Sequence, residues 1–510
     1  MAGALGQPRV GLQTDVCIIV EGCYPYVAGG VSGWIDWLIR SQNETSFSIV
    51  SLWPAPTQQA PRYALPPNVT AFHPLYLQDF GGAPLKHAAV PPGLDKLADA
   101  LSGFLAEGGV GHLADVTREL DRARATLPPA LLFNSPIAWD LIQRMYASRM
   151  PHGSFLHFFW AWRALLGGLM AVLEFRLPSA KVYHTISTGY AGVLAARATV
   201  ETGRPAILTE HGIYTNERRI ELLMADWVAD TVDKGHALDD PRRDLRDMWV
   251  EAFEAYARTC YEASSEVITL YEDNQRVQQS LGAAPARSRV IANGIDLNRF
   301  AGLAQAGPDA RPTMALIGRV VPIKDVKCFI NAARILRARI PDLAALVIGP
   351  TDEDPDYMRE CEAMVAELGL ADTVAFTGPV DIVDWLPRVH VAVLTSLSES
   401  QPLVLLEAGA AGIPFVATNV GSCREIIEGR ADESPALGPG GIVTPLVAPE
   451  AIAAAAERLI RDGELRRRYG AALQARVRRD YTSEQAAGTY RDLYRRLIAT
   501  PDRGGRTRVA

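Results

Sequence analysis

The sequence predicts an α/β protein made of two Rossmann-like, doubly wound parallel sheets facing a cleft, on three observations. Short apolar runs rich in β-branched residues alternate with helix-like stretches. Turn-formers follow the runs directly. A stretch of linker composition, Gly282–Arg289 (GAAPARSR), divides the alternation into two series.

The first series opens with Val16–Val20 (VCIIV), the glycine-rich EGCYPYVAGGVSG and a helix-like stretch, Trp34–Arg40. Phe47–Leu52 reads as the next strand. Residues 54–130, rich in Pro, Gly and Ala, read as an insertion with some helix. Residues 131–177 are helical and aromatic (SFLHFFWAWRALLGGLMAVLEF) and read as a buried helix pair, with an acceptor wall as the alternative. Alternation resumes with Lys181–Ser187, a helix at Ala191–Glu201, and Ala206–Glu210. A long helix at Pro241–Glu262 and the strand Glu266–Leu270 follow. The second series has strands at Thr313–Ile317, Ala344–Ile348, Val374–Thr377, Val391–Thr395 and Phe415–Thr418. Its helices fall at Lys327–Ile340, Pro355–Leu368 and Pro402–Ala411. The expected division is residues 1–285, with a helical insertion at about 54–180, then 286–482. A terminal helix within 483–510, around Ser483–Ala499, is expected to pack back on the first domain.

Composition excludes several classes. Apolar residues are 48% and charged ones 21%, as in globular proteins. The 51 basic and 58 acidic residues leave a charge of -7, so no nucleic-acid partner is expected. Thirteen Arg against six acids from Arg461 onward form a basic end, read as a solvated helix face or a contact for a membrane or acidic partner. The six Cys are scattered without a CxxC pair, which predicts reduced, mostly buried thiols. Met1–Thr14 lacks a charged-then-apolar leader, and no uncharged apolar run reaches the ~18–20 residues of a membrane span. A soluble cytoplasmic protein is the expectation.

In open α/β sheets, ligands bind beyond the carboxyl ends of strands, so the segments after strands carry the candidates. Gly29 and Gly30 precede a helix and form either a turn or a phosphate contact. His211, in TEHGIY, follows a strand and either bonds a sugar hydroxyl or developing charge or is structural. Arg319 and Lys324 share one loop. Such a pair can clamp a diphosphate, the Arg by its planar fork and the Lys as a mobile point charge. Only six of the basic residues are Lys, which favours the clamp over solvated charges. Glu399 precedes a helix, and Glu407 falls inside the apolar LVLLEAGAAG. A carboxylate there needs a partner: ribose hydroxyls, or an Arg such as Arg424.

Glu399-x7-Glu407, with Arg319 and Lys324 upstream, resembles retaining glycosyltransferase family 4, of the GT-B fold. Val290–Asp296 (VIANGID) with Phe300, and Asn419–Glu425 (NVGSCRE), are similar to that family's NG(V/I)D-x3-F and late glycine loops. Asp325 stands where the family pattern has Gly, and Ser422 where it has a second Gly. Glu21–Trp34 and Thr209–Tyr214 resemble the glycosyltransferases of Pel-type exopolysaccharide synthesis.

The resemblance implies net retention at the anomeric carbon, a UDP-sugar donor such as UDP-glucose, and no cofactor or metal. Asp352–Asp354 (DED) is read as an acidic turn rather than a metal motif. Arg319 and Lys324 would meet diphosphate charge, Glu399 the transferred sugar and Glu407 the ribose. Ser400, Gln401 and Leu403 would complete donor binding. His211 and the Gly29–Gly30 loop would form the opposing wall. The implied partners are a polysaccharide acceptor and a membrane-bound export complex at the inner membrane face. A GT-B-fold epimerase and a non-catalytic nucleotide-sugar-binding subunit are the alternatives.

Overall fold

The computed structural model describes residues 13–57, 59–78, 94–124, 136–151, 153–224, 245–307 and 309–501. The chain forms two compact units. One contains Met1–Thr269, Gln275–Arg289 and Tyr490–Ala510; the other contains Leu270–Asn274 and Val290–Thr489.

The first unit begins with strand β1 (Thr14–Glu21), helix α1 (Gly30–Ser41), β2 (Phe47–Trp53) and β3 (Val69–Tyr76). Helices α2 (Leu94–Glu107), α3 (Val110–Arg124), α4 (Pro136–Arg149) and α5 (Phe155–Glu174) follow. Then come β4 (Ala180–Thr185), α6 (Tyr190–Thr202), β5 (Ala206–Glu210), α7 (Tyr214–Met224), α8 (Leu245–Ala263), β6 (Ser264–Thr269), α9 (Glu272–Ser280) and β7 (Ser288–Val290). The sheet order is β3-β2-β1-β4-β5-β6-β7, so the winding reverses between β1 and β4. Central strands read as unbroken apolar runs because both faces are covered; Val16 to Val20 are all buried.

Strand β3 was not expected inside the segment read as insertion. It pairs in parallel with β2 from Ser48↔Ala71 to Trp53↔Tyr76. Its half-exposed edge position and Pro74 remove the apolar pattern that would have revealed it. The predicted start of the helix at Pro241 lies outside the described residues; the observed helix is α8. The inserted helices share one core with the sheet: Leu97, Phe104, Leu113 and Leu165 pack in the same cluster as Ile19 and Val50.

Helix α5 contains the longest apolar run, Ala164–Leu173, and extends it on the N-terminal side. It has 20 residues and a mean hydropathy of 1.4 in its best window, enough to cross a membrane by length and composition. His157 and Arg163 interrupt the run and lower the mean, which still reaches 1.4. Its packing is that of a core helix: Phe158, Trp162, Leu165, Leu169 and Leu173 are buried on one face.

The second unit contains β8 (Thr313–Ile317), α10 (Val326–Arg337), β9 (Ala344–Ile348), α11 (Pro355–Glu367), β10 (Val374–Gly378), β11 (Val391–Leu394), α12 (Leu403–Ala410) and β12 (Phe415–Thr418). It continues with α13 (Cys423–Glu428), β13 (Gly441–Thr444), α14 (Pro449–Arg461) and α15 (Gly463–Asp480). The order β10-β9-β8-β11-β12-β13 is the Rossmann arrangement, with its switch between β8 and β11. The last helix, α16 (Ser483–Ile498), contributes its residues from Tyr490 onward to the first unit. There Tyr494 Oη lies 2.7 Å from His184 Nδ1, and Tyr490 Oη 3.2 Å from Thr209 Oγ1.

Much of the arginine-rich end is used internally. Arg476, 1% exposed, bonds Glu433 through Nε at 2.6 Å and Nη2 at 2.9 Å. Arg466 donates to the Leu459 and Ile460 carbonyls at the end of α14, where a cation also complements the helix dipole. Arg495 pairs with Glu44, and Arg496 with Glu266. All six thiols are free and five are buried.

Candidate functional site

In the second unit the loops after β8 and β11 leave the sheet at its switch point. Lys324 ends a single 3-10 turn, Pro322–Lys324. Asp325 then adopts φ 46°, and its carboxylate accepts the Cys328 amide at 3.2 Å. Aspartate tolerates the left-handed region better than most residues, so the loop keeps the conformation glycine would take and gains a cap for α10.

Lys324 Nζ donates to Glu399 Oε1 at 2.5 Å, and Ser396 Oγ donates to the same oxygen at 2.6 Å. Thr395 Oγ1 ties the loops by donating to the Lys324 carbonyl at 2.7 Å. Arg319 pairs instead with Glu353, and both are half exposed. The two predicted clamp cations thus have separate carboxylate partners. Asp354 accepts the Tyr357 amide at 3.0 Å and caps α11, so the acidic turn is occupied structurally. Lys327 bonds Glu360 at the surface, as a solvated charge.

Glu407 lies one turn into α12. Burial raises its carboxyl pKa, Arg299 opposes the rise and Asp381 adds to it. Arg424, the partner weighed from sequence, bonds Asn419 Oδ1 at 3.1 Å and lies 3.7 Å from Glu428. It lies six residues beyond the end of β12, in helix α13, and among the described residues Arg299 is the cation that acts on Glu407.

Leu403 starts α12 and is 39% exposed. The Ser400 carbonyl accepts the Ser422 amide at 2.8 Å. Gly421 makes that approach possible: its φ is 52°, and a Cβ would lie 2.1 Å from the Ser400 oxygen. Gln401 Oε1 accepts the Asn293 amide at 2.7 Å. Among the described residues, three buried polar atoms on these joined segments, Gln401 Nε2, Asn293 Oδ1 and Ser422 Oγ, have no hydrogen-bond partner. Each such atom costs roughly 1–3 kcal/mol, so their concentration marks a place for a ligand. Ser396, Asn293 and Ser422 were missed as site residues. Asn293 and Ser422 lie within noted motifs, but only tertiary contacts reveal them.

In the first unit, Gly29 precedes and Gly30 begins α1, with no side chain capping the helix. Among the described residues, nothing lies within 4 Å of a Cβ at either glycine. Their own packing therefore does not require glycine. Trp34, one turn on, meets the His211 ring edge-on at 4.6 Å. Burial pulls the His211 pKa down to about 4, so the ring is neutral at pH 7. His184, not anticipated, bonds Tyr494 and Thr209 through its two ring nitrogens, and burial lowers its pKa to about 3.

Two doubly wound units with these switch-point loops define a GT-B fold. Sucrose-phosphate synthase from Thermosynechococcus elongatus is similar over 95% of this chain and 99% of its own, with TM-score 0.56 and 17% identity. Anabaena Alr3699/HepE in complex with UDP and glucose is similar over 94% and 99%, with TM-score 0.55 and 14% identity. Residues 311–462 match the family described as glycosyl transferases group 1.

Residues 14–286 match the family described as a domain of unknown function (DUF3492), and the chain belongs to that family. D-inositol 3-phosphate glycosyltransferase 2 of Catenulispora acidiphila is 32% identical over 214 residues, 38% of this chain and 48% of that protein. The D-inositol 3-phosphate glycosyltransferase of Kribbella flavida is 30% identical over 260 residues, 45% and 58%. The chain thus spans about half the length of these curated relatives.

Proposed function

We propose that the protein is a retaining, metal-independent glycosyltransferase that moves a sugar from a UDP-sugar, UDP-glucose first among them, onto a growing exopolysaccharide of Pel type. The observation that carries the donor half is the Lys324–Glu399 pair at the switch point, beside the unpartnered Asn293, Gln401 and Ser422 atoms. Lys324 and Arg319 meet the negative charge that develops on the departing diphosphate. Glu399, already fixed by Lys324 and Ser396, accepts hydroxyls of the transferred sugar. Glu407 accepts the ribose hydroxyls. Ser400, Gln401 and Leu403 line the donor, and Gly29, Gly30 and neutral His211 serve substrate binding on the first unit.

The group 1 match over residues 311–462 supports transfer from an activated sugar. The Anabaena relative of the same fold holds UDP and glucose, which supports the choice of donor. The Pel assignment rests on the Glu21–Trp34 and Thr209–Tyr214 motifs. We place the reaction in the cytoplasm, beside a membrane-bound export complex. Arg467 and Arg468 are better handles for recruitment than Arg466, which bonds two carbonyls within its own unit.

A panel of nucleotide sugars scored by protection against thermal unfolding tests the donor. UDP-glucose is expected to raise the melting temperature, and no shift with any nucleotide sugar overturns the reading. NMR of the donor incubated alone separates the rivals. Slow hydrolysis to glucose and UDP supports a transferase, an epimerised donor shows an epimerase, and binding without turnover shows a non-catalytic subunit.

A further inference from the structure

We propose that Glu353 is a specificity-determining residue that acts through Arg319. It competes with the diphosphate for the guanidinium, and so favours the UDP-sugar over the more highly charged UDP. The inference rests on the donor reading above, in which Arg319 meets the diphosphate.

The pair sits on two loops that the backbone locks together. They follow β8 and β9, which are neighbours in the second sheet. The Gly318 amide donates to the Ile348 carbonyl at 2.8 Å, and the Val320 amide to the Pro350 carbonyl at 2.9 Å. A Cβ on Gly349 would lie 2.3 Å from the Gly318 oxygen, so the close approach needs glycine there. Arg319 stands between the two anchored residues Gly318 and Val320. Glu353 is anchored from its other side. Asp354, the next residue, caps α11 by accepting the Tyr357 amide, and Pro355 fills the first position of that helix. Both side chains therefore start from fixed backbone, and Arg319 Nη1 donates to Glu353 Oε1.

The fold does not need this acid. Both side chains are half exposed, and an exposed ion pair contributes little stability. The Glu353 side chain caps no helix, and among the described residues Arg319 is its only partner. Glu399, the partner of Lys324, is assigned to sugar hydroxyls, whereas Glu353 has no such task. Asp352 puts a second exposed acid on the same turn. A carboxylate held on a guanidinium takes up part of its donor fork and offsets its charge for any other anion.

The two nucleotides differ in charge. A phosphate monoester has a second pKa of about 6, so at neutral pH UDP carries about one negative charge more than a UDP-sugar. Glu353 repels that extra charge. The donor is penalised less than the product, and UDP leaves more readily after transfer, a step that limits turnover in many enzymes.

The test is calorimetric titration of UDP and UDP-glucose into wild type, Glu353→Gln, Asp352→Asn, Arg319→Gln and the Glu353→Gln/Arg319→Gln double variant. All three positions are exposed, so the variants should fold. Glu353→Gln is expected to bind UDP about two- to fivefold more tightly, the scale of one exposed ion pair, with a smaller gain for UDP-glucose. The gain should exceed that of Asp352→Asn, shrink as salt rises from about 50 to about 500 mM, and vanish when Arg319 is already Gln. The inference is overturned if Glu353→Gln binds UDP no more tightly than wild type, if UDP-glucose gains as much as UDP, or if the gain persists without Arg319. Arg319→Gln alone reports the donor reading: UDP affinity equal to wild type removes Arg319 from the diphosphate site. Weaker binding by Arg319→Gln with no gain from Glu353→Gln sinks only this inference.

Discussion

The two units share a winding rule and differ in what they place at the switch. Both reverse strand order beside their first strand. In the second unit that point holds a lysine, a carboxylate and unpartnered amide and hydroxyl atoms on glycine-containing loops. In the first unit it opens into an aromatic cavity with a single anchored glutamate at its floor. Topology fixes where a ligand can sit, and the side chains after each strand decide which one. A charged, close-backbone site suits a diphosphate; a roomy aromatic one suits a sugar face.

The largest effect should come from the charged site. Lys324→Ala is expected to lower donor turnover by roughly 10²–10³-fold, the scale of one lost oxyanion donor. Steady-state UDP release checks this, and normal turnover would place the chemistry elsewhere.

Next is the ion pair that holds the second unit's C-terminal helix. Two arginines, Arg476 first, hold the Glu433 carboxyl down at about 2 against an ordinary 4.5. A depressed carboxyl stabilises above its unfolded pKa and loses that contribution as pH falls through its folded one. Glu433→Gln should therefore cost roughly 3 kcal/mol at pH 7, with the gap from wild type closing between about pH 4.5 and 2. Urea titrations across that range read it directly; a pH-independent gap would remove electrostatics as the cause.

Gly421→Ala and Gly168→Ala compare the two sites sterically. Gly421 has a left-handed φ of 52° and backbone 2.1 Å from a Cβ. Alanine there should cost about 2–3 kcal/mol and abolish UDP protection. At Gly168, in the wall of the aromatic cavity, the obstacle is the Tyr190 ring, which can shift, so about 1–2 kcal/mol is expected. UDP protection should survive at Gly168 while binding of an acceptor saccharide weakens. Equal loss of both ligands in both variants would erase the distinction between the sites.

The charged site was far more legible in the sequence than the aromatic one. Arg319, Lys324, Glu399 and Glu407 fall in short motifs after strands, where residue type and spacing carry the chemistry. Even so, sequence could not say that Arg319 and Lys324 take different carboxylates, or that Arg299 rather than Arg424 influences Glu407. Those are facts of loop geometry. The aromatic cavity draws Glu21, Tyr190, Tyr214, Arg218 and Trp249 from segments spread over more than half of the chain before Arg289. No local spacing links them. The first sheet was legible where strands are buried on both faces and illegible at its β3 edge, where the strand carries a proline and little apolar pattern.

Calorimetric titration of UDP into wild type and Lys324→Ala at pH 7 tests the central claim most directly. The account predicts one saturable site in wild type and at least tenfold weaker binding in the variant, the scale of a lost charge-assisted contact. Equal affinity in the two proteins, or no binding to wild type, would contradict it.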